Sequence, residues 1–447
     1  MNFLIFLGEI SFLVLIGFFL IFTLYNRRER EEKAFRSSLI ILLGLITVNV
    51  FFLIMPGILR NLLFLTVFLV TLAAFFIIYF SSTPRGNIEF IGEKKRVDER
   101  DTIFARFELK ERSNNYNDYY NRRSEYKDID DEIRTLPDIL APEHMKKDPV
   151  LFSLTAAEDG YLKHHVKLVN GDVKSDKMEF SPFDNTRTVK NIVKYLGGDI
   201  CGVCELDRNY VYSHVGRGPE PFGMEIELKH KYAIVFAIEM DVDMIAASPK
   251  PPVIVETEKK YVEIAKVSVI VADLIRRMGY DARAHIAGSN YQTMLPPLGW
   301  RAGFGEIGRI GILITEKYGP RVRLGLITTN LPLTPDSYKN FGVQDFCKNC
   351  KKCANNCPAQ AIPYGDKTEE NGALKWVLNR EGCYRFWRKA GTDCAMCLYV
   401  CPYSKPQNWF HDSVRKLVNQ SSNAQKVSLW ADDYFYGANP LPKEPPF

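Results

Sequence analysis

Apolar residues are concentrated at the start of the chain and become periodic later. Three apolar runs open it, at Phe3–Tyr25, Ser38–Leu59 and Leu62–Phe80. Each approaches the ~20 residues that a helix needs to cross a bilayer. The segment 97–145 is polar and charged, with Tyr116, Tyr119, Tyr120 and Tyr126 interspersed, and reads as a partly packed linker. From 146 to 335, strand-like and helix-like runs alternate, as in one α/β or α+β core. Within it Thr188–Leu196 predicts a helix ended by Gly197-Gly198, Asp199–Leu206 and Lys231–Ala237 predict strands, and Thr257 caps a helix over Glu258–Met278 that Gly279 stops.

Charge orients the apolar runs. Arg27, Arg28, Arg30, Lys33 and Arg36 follow the first, only Arg60 separates the second from the third, and Arg85, Lys94, Lys95 and Arg96 follow the third. The two basic segments fall on one side, which the positive-inside rule makes cytoplasmic. The expectation is a multi-pass inner-membrane protein with a three-helix transmembrane anchor over 1–82 and its working domain facing the cytoplasm. Arg27-Arg28 is a poor twin-arginine export signal, because it follows a full apolar span and runs into Glu29-Arg30-Glu31. The net charge of +5 in 447 residues makes no electrostatic case for a nucleic-acid partner.

Eight of the ten cysteines form two ordered runs. The first is Cys347-x2-Cys350-x2-Cys353-x3-Cys357-Pro358, and the second is Cys383-x10-Cys394-x2-Cys397-x3-Cys401-Pro402. A run of this spacing wraps three thiolates around one cubane and sends its fourth to the other. Cys347, Cys350, Cys353 and Cys401 are therefore expected on one [4Fe-4S] cluster, and Cys357, Cys383, Cys394 and Cys397 on the second. Zinc knuckles or disulfides fit this spacing poorly. The remaining pair, Cys201-x2-Cys204, lies in an apolar strand-like run and reads as packing rather than as a redox dithiol.

Gly303-x-Gly305-x-x-Gly308 matches a dinucleotide fingerprint in letters only, since no clear strand precedes it and Thr328 stands where a ribose-binding acid belongs. Such glycines let a backbone approach a flat or phosphate-bearing ligand, and turn geometry accounts for them equally well.

Taken in order, the stretches Val97–Arg106, Leu196–Val203, Val211–His214, Ile238–Asp241, Ile275–Tyr280, Ala302–Thr315, Gly319–Arg323, Leu331–Leu333, both cysteine runs and Asp432–Gly437 resemble the corrinoid-dependent reductive dehalogenases. The resemblance covers residue 97 onward. It implies an α/β (α+β) nitroreductase-like cobalamin-binding core over 146–335, after a linker over 83–145. A two-cluster ferredoxin-like domain over 336–410 and an extension over 411–447 packing on the core complete it. The cofactors implied are two [4Fe-4S] clusters and a base-off cobalamin, with Gly303, Gly305 and Gly308 beside the cofactor. The family's proton donor falls on Tyr261. Arg323 is its cation, with Arg321 as the alternative, and Asn290 is the substrate-side amide. Asp281-x3-His285-x2-Gly288 departs from the Asp-x-His-x2-Gly spacing that sets histidine under cobalt, so His285 is expected in a packing or exposed role. Phe104, Tyr119 and Tyr120 suit either an aromatic pocket wall or core packing. The implied partners are an organohalide, the bilayer and a low-potential donor (ferredoxin, flavodoxin or a membrane reductase). The fused spans depart from respiratory members, which pair with a separate anchor. Epoxyqueuosine reductase, and a membrane-tethered two-cluster electron relay without cobalamin, are the rival readings.

Overall fold

The computed structural model describes residues 2–81, 86–288 and 291–445. The chain divides into two units, Met1–Arg85 with Gln407–Pro440, and Gly86–Pro406 with Leu441–Phe447.

In the first unit three helices, Asn2–Arg28, Glu32–Ile54 and Gly57–Tyr79, are each long and apolar enough to cross a membrane. The turn between the second and third lies at Met55-Pro56, earlier than expected, and Arg60 belongs to the first turn of the third helix. Proline forces this: it has no N–H, and it drives the preceding residue out of the helical region, where Met55 sits at ψ 154°. Gly8 lets the first helix touch the third, since a Cβ there would fall 2.2 Å from the Phe64 carbonyl oxygen. The extension expected on the core belongs largely here. Helices Trp409–Val418 and Ser422–Phe435 cluster with the apolar helices through Phe22, Ala34, Phe410 and Phe435. These apolar inner faces are complementary to the three apolar helices, a match that the sequence pattern alone does not identify.

The second unit opens with the segment expected to be a partly packed linker, and it is firmly packed. Short helices Ile103–Glu108, Asn114–Arg122 and Lys127–Arg134 bury Tyr119, Tyr120 and Ile133. Arg106, itself buried, ties them to the cysteine-rich part by reaching Asp130 at 3.5 Å and Glu381 at 2.5 Å while stacking on Tyr126. Tyr119 and Tyr120 therefore pack rather than line a pocket.

The core is a four-stranded antiparallel sheet in the order Ile200–Glu205, Tyr232–Glu239, Val322–Thr329, Ala282–His285. Gly325 makes room for its cross-strand neighbour, the Phe236 ring, which a Cβ would meet at 2.2 Å. Helix Pro252–Arg277 covers one face with Ile264, Val267, Val271 and Ile275. Tyr210, Val215, Leu298 and Phe304 cover the other. Side chains alternate along a strand, so the three-residue step from Cys201 to Cys204 puts one thiol in each layer. Burial raises both thiols to about 12, which is the environment of packing residues and not of a reactive pair.

Candidate functional site

The same alternation aims Arg323 at the long helix. Leu324 and Leu326 face the far layer, whereas Ile327 and Arg323 face Pro252–Arg277. That helix begins six residues earlier than expected because the Pro251-Pro252 pair starts it, so Thr257 is interior and not a cap. Thr257 and Tyr261, four residues apart, share one helix face. The Arg323 guanidinium lies 5.3 Å from the centre of the Tyr261 ring and donates to Thr257 Oγ1 at 2.7 Å and to Asp393 Oδ2 at 3.2 Å. Thr257 in turn donates to Asp393 at 2.8 Å. Arg321, the alternative cation, is spent elsewhere: it is buried against Ser404 O, Met240 O and the Glu239 carboxylate. Asp393 was not among the expected site residues. Its place next to Cys394 in sequence was the signal, since whatever cluster Cys394 serves must bring Asp393 with it.

Charges around Tyr261 oppose one another. Arg323 is the strongest influence and lowers its pKa, but burial, Asp393 and Glu258 together leave the phenol above its ordinary value. Burial, with Asp393 and Asp159 nearby, raises Glu258 to about 8, and burial raises Glu158 to about 7. Tyr212 and Tyr291 are also raised by burial, and the positive charge of Arg217 reaches both of them and Tyr261. Arg217, paired with Glu99 at 3.3 Å, lines a cavity of about 270 Å³ together with Glu108, Lys110, Glu220 and Phe222. Asn290 lies outside the described residues.

The cysteine runs form two groups. Cys347, Cys350, Cys353 and Cys401 line one cavity, closed by Ile310, Ile314, Phe346 and Tyr403. Helices Val343–Cys350 and Lys352–Asn355 carry the first three, and the left-handed Lys351 (φ 51°) between them turns the chain back on itself. Cys357, Cys383, Cys394 and Cys397 are electrostatic neighbours: the first three all raise Cys397, as does Cys353 of the first group, and Cys357 raises both Cys383 and Cys394. Among the described residues no three His, Cys, Asp or Glu side chains converge as ligands of a single ion would. A cubane sets its thiolates farther apart than one ion does, and a four-thiol pocket within an apolar wall fits it. Burial raises Cys347, Cys353 and Cys383 to about 12 and Cys394 to about 11, so they would remain thiols at neutral pH unless iron displaced the protons.

The glycine stretch is a tight hairpin. Gly305–Ile307 pairs with Leu313–Thr315, and a Cβ on Gly305 would meet Ile314 O at 1.9 Å. At Gly303 (φ 80°) it would meet Ser337 O at 2.5 Å, and at Gly308 it would meet Ile314 Cδ1 at 2.3 Å and Cys347 Sγ at 3.4 Å. The close approaches these glycines allow are thus to protein atoms, and Gly308 stands at the wall of the first thiol pocket. His285 is buried on strand Ala282–His285, with Nδ1 on Tyr291 O and Nε2 2.8 Å from Thr328 Oγ1. With burial holding it well below the ordinary imidazole range, it is a neutral packing residue.

The family described as 4Fe-4S dicluster domain matches residues 346–405. The tetrachloroethene reductive dehalogenase of Dehalobacter restrictus is 33% identical over 297 residues, 56% of this chain and 53% of that protein. That of Sulfurospirillum multivorans is 31% identical over 292 residues, 58% of each. The chain thus spans little more than half the length of these curated relatives. Epoxyqueuosine reductase of Lactococcus garvieae is 30% identical over 113 residues, 24% of this chain and 31% of that protein, a distant relation. A solved reductive dehalogenase structure, described as suggesting a mechanism for B12-dependent dehalogenation, superposes with TM-score 0.65 at 24% identity. It covers 80% of this chain and 49% of its own, and it establishes a fold of the same kind.

Proposed function

We propose, on its similarity to the tetrachloroethene reductive dehalogenases, that the chain is a member of the reductive dehalogenase family and replaces a carbon–halogen bond of a small organohalide with carbon–hydrogen. The balance is R–X + 2e⁻ + H⁺ → R–H + X⁻. A base-off cobalamin, when bound, supplies a cobalt centre that reaches a strongly reducing state, and two cubanes supply the one-electron steps toward it. The rest falls to the protein's own side chains. Cys347, Cys350, Cys353 and Cys401 would hold one cubane and Cys357, Cys383, Cys394 and Cys397 the other. His285, with both ring nitrogens committed to Tyr291 and Thr328, would not serve as a cobalt ligand.

Tyr261 gives the proton. Its raised pKa keeps it loaded as phenol near neutral pH. The phenolate left behind is stabilised by Arg323, held over the ring by Thr257 and Asp393. Glu258, one helical turn before Tyr261 and protonated up to about pH 8, returns the proton. The cavity lined by Arg217 is the approach for substrate. The three apolar helices span a membrane with Arg27–Arg36 on the cytoplasmic side, and a low-potential carrier or membrane reductase delivers the electrons.

The observation that carries this reading is the Arg323 guanidinium held over the Tyr261 ring. The chain, purified without oxygen and with cobalamin supplied, is analysed for iron, sulfide and cobalt and assayed for halide release from chlorinated and brominated aliphatics and phenols. About eight irons and one cobalt per chain with halide release supports it. Eight irons without cobalt overturns it in favour of an electron relay.

A further inference from the structure

We propose that helices Trp409–Val418 and Ser422–Phe435 form a collar lying in the lipid headgroup layer, with Trp409, Trp430 and Tyr434 inserted among the lipids. The collar rests on the reading that Asn2–Tyr79 spans a bilayer three times.

The collar's contacts with the apolar helices all fall at one end of the bundle. They involve the close of the first helix, the start of the second and the close of the third, which antiparallel hairpins bring to the same membrane face. Phe410 and Phe435 pack on Phe22, and their cluster includes Ala34. Glu29, just beyond the first helix, accepts from Asn408 Nδ2 at 2.5 Å and lies 3.0 Å from Nε2 of the buried His411. Tyr436 donates to Asn26 at 3.1 Å, and Lys33 to the Asp433 carbonyl at 3.3 Å. At the third helix, Asn423 donates to Ile77 O at 3.0 Å, Ser421 to Ile78 O, and Ser81 shares a hydrogen with Ser422 at 2.7 Å.

The outward surfaces of the two helices leave large aromatic rings uncovered among the polar Ser413, Lys416, Lys426 and Asp433. Trp409 and Trp430 are each 66% exposed, Val427 47% and Tyr434 46%. Trp430 and Tyr434, one turn apart, stack at 5.6 Å. A protein surrounded only by water gains nothing from leaving two tryptophans uncovered. At the end of a membrane-spanning bundle the ordinary occupant is the headgroup layer, where indole and phenol rings bury an apolar body and keep a polar edge wet. The exposed Arg27, Arg28 and Arg30 at the same end suit lipid phosphates. Continuity with the spans, and this charge, select lipid over a second copy of the chain.

The test uses the five tryptophans, Trp300, Trp376, Trp387, Trp409 and Trp430, none of which lies in the three spans. The full chain is placed in phosphatidylcholine–phosphatidylglycerol vesicles brominated either near the headgroup or near the acyl-chain end. Bromine near the headgroup should quench tryptophan emission about twofold more than bromine at the chain end, and the difference should vanish in W409F/W430F. Equal quenching in wild type and the double variant, with the chain retained by the vesicles through an alkaline carbonate wash, overturns the collar alone. Absence of quenching together with concentration-dependent dimerisation also overturns it, in favour of a second copy. Release of the chain by carbonate overturns the spanning reading and the collar with it.

Discussion

Arg323 and Asp393 meet at 3.2 Å, joining the sheet to the segment that carries Cys394. The cation above Tyr261 is thus positioned partly from the cysteine-rich region. Replacing Asp393 with Ala should free the guanidinium and lower kcat about tenfold, with a smaller effect for Asp393→Asn, which keeps an acceptor for Arg323. Single-turnover kinetics with both cluster EPR signals intact would verify this, and unchanged kcat in Asp393→Ala would remove Asp393 from the positioning of Arg323.

Tyr261→Phe removes only the acidic hydroxyl. Loss of a general acid costs about a hundredfold or more in kcat, and iron content should not change. The steady-state rate of halide release, set against cofactor content, decides it; full activity in the variant would assign the proton to another group.

Glu258 gives a pH signature independent of turnover. Its carboxyl rises from the ordinary 4.5 to about 8 on folding, through burial and the neighbouring Asp393 and Asp159. A raised carboxyl stabilises the fold below its unfolded pKa and loses that contribution as pH rises through the folded value. Wild type and Glu258→Gln should therefore share a Tm near pH 4, and the variant should melt higher at pH 9. Parallel Tm curves would refute the raised value.

The shared thiol pocket predicts crossed ligands. Cys401→Ser should damage the cluster built on the first cysteine run, and Cys357→Ser the one built on the second, with iron falling from about eight toward about four per chain. EPR of each variant identifies the surviving cluster. Sequential assignment would give the reverse.

Arg309, buried, donates to the carbonyls of Cys347, Pro363 and Gly365 at 3.0, 2.6 and 3.0 Å and stacks 4.6 Å from Trp376. Arg309→Met would strip these acceptors and cost about 3 kcal/mol or more, seen as a lower Tm. It would also remove a positive charge beside the first thiol group and lower that cluster's midpoint potential, measured by redox-titrated EPR.

Much of this was legible in the residues. The cysteine spacing carries its own geometry, and the apolar runs and Gly279 mark element ends because proximity along the chain decides them. Tyr261 and Arg323 came from resemblance, and their meeting depends on a strand register that no local pattern supplies. Local signals failed where two competed: Thr257 had the chemistry of a cap, but Pro251-Pro252 started the helix first and left its hydroxyl for Arg323 and Asp393. The glycines of the hairpin carried the letters of a ligand loop, although their Cβ-free approaches are to Ile314 and Ser337. Tyr119 and Tyr120 were ambiguous because packing depends on Arg106 and Asp130, which are distant in sequence or uninformative alone.

The cluster of Phe22 and Ala34 with Phe410 and Phe435 imposes an order on biosynthesis. The three apolar helices lack part of their final interface until everything between Gly86 and Pro406 has left the ribosome. Completion of this cluster is therefore a late event. A ribosome stalled within the cysteine runs would leave these helices without Phe410 and Phe435.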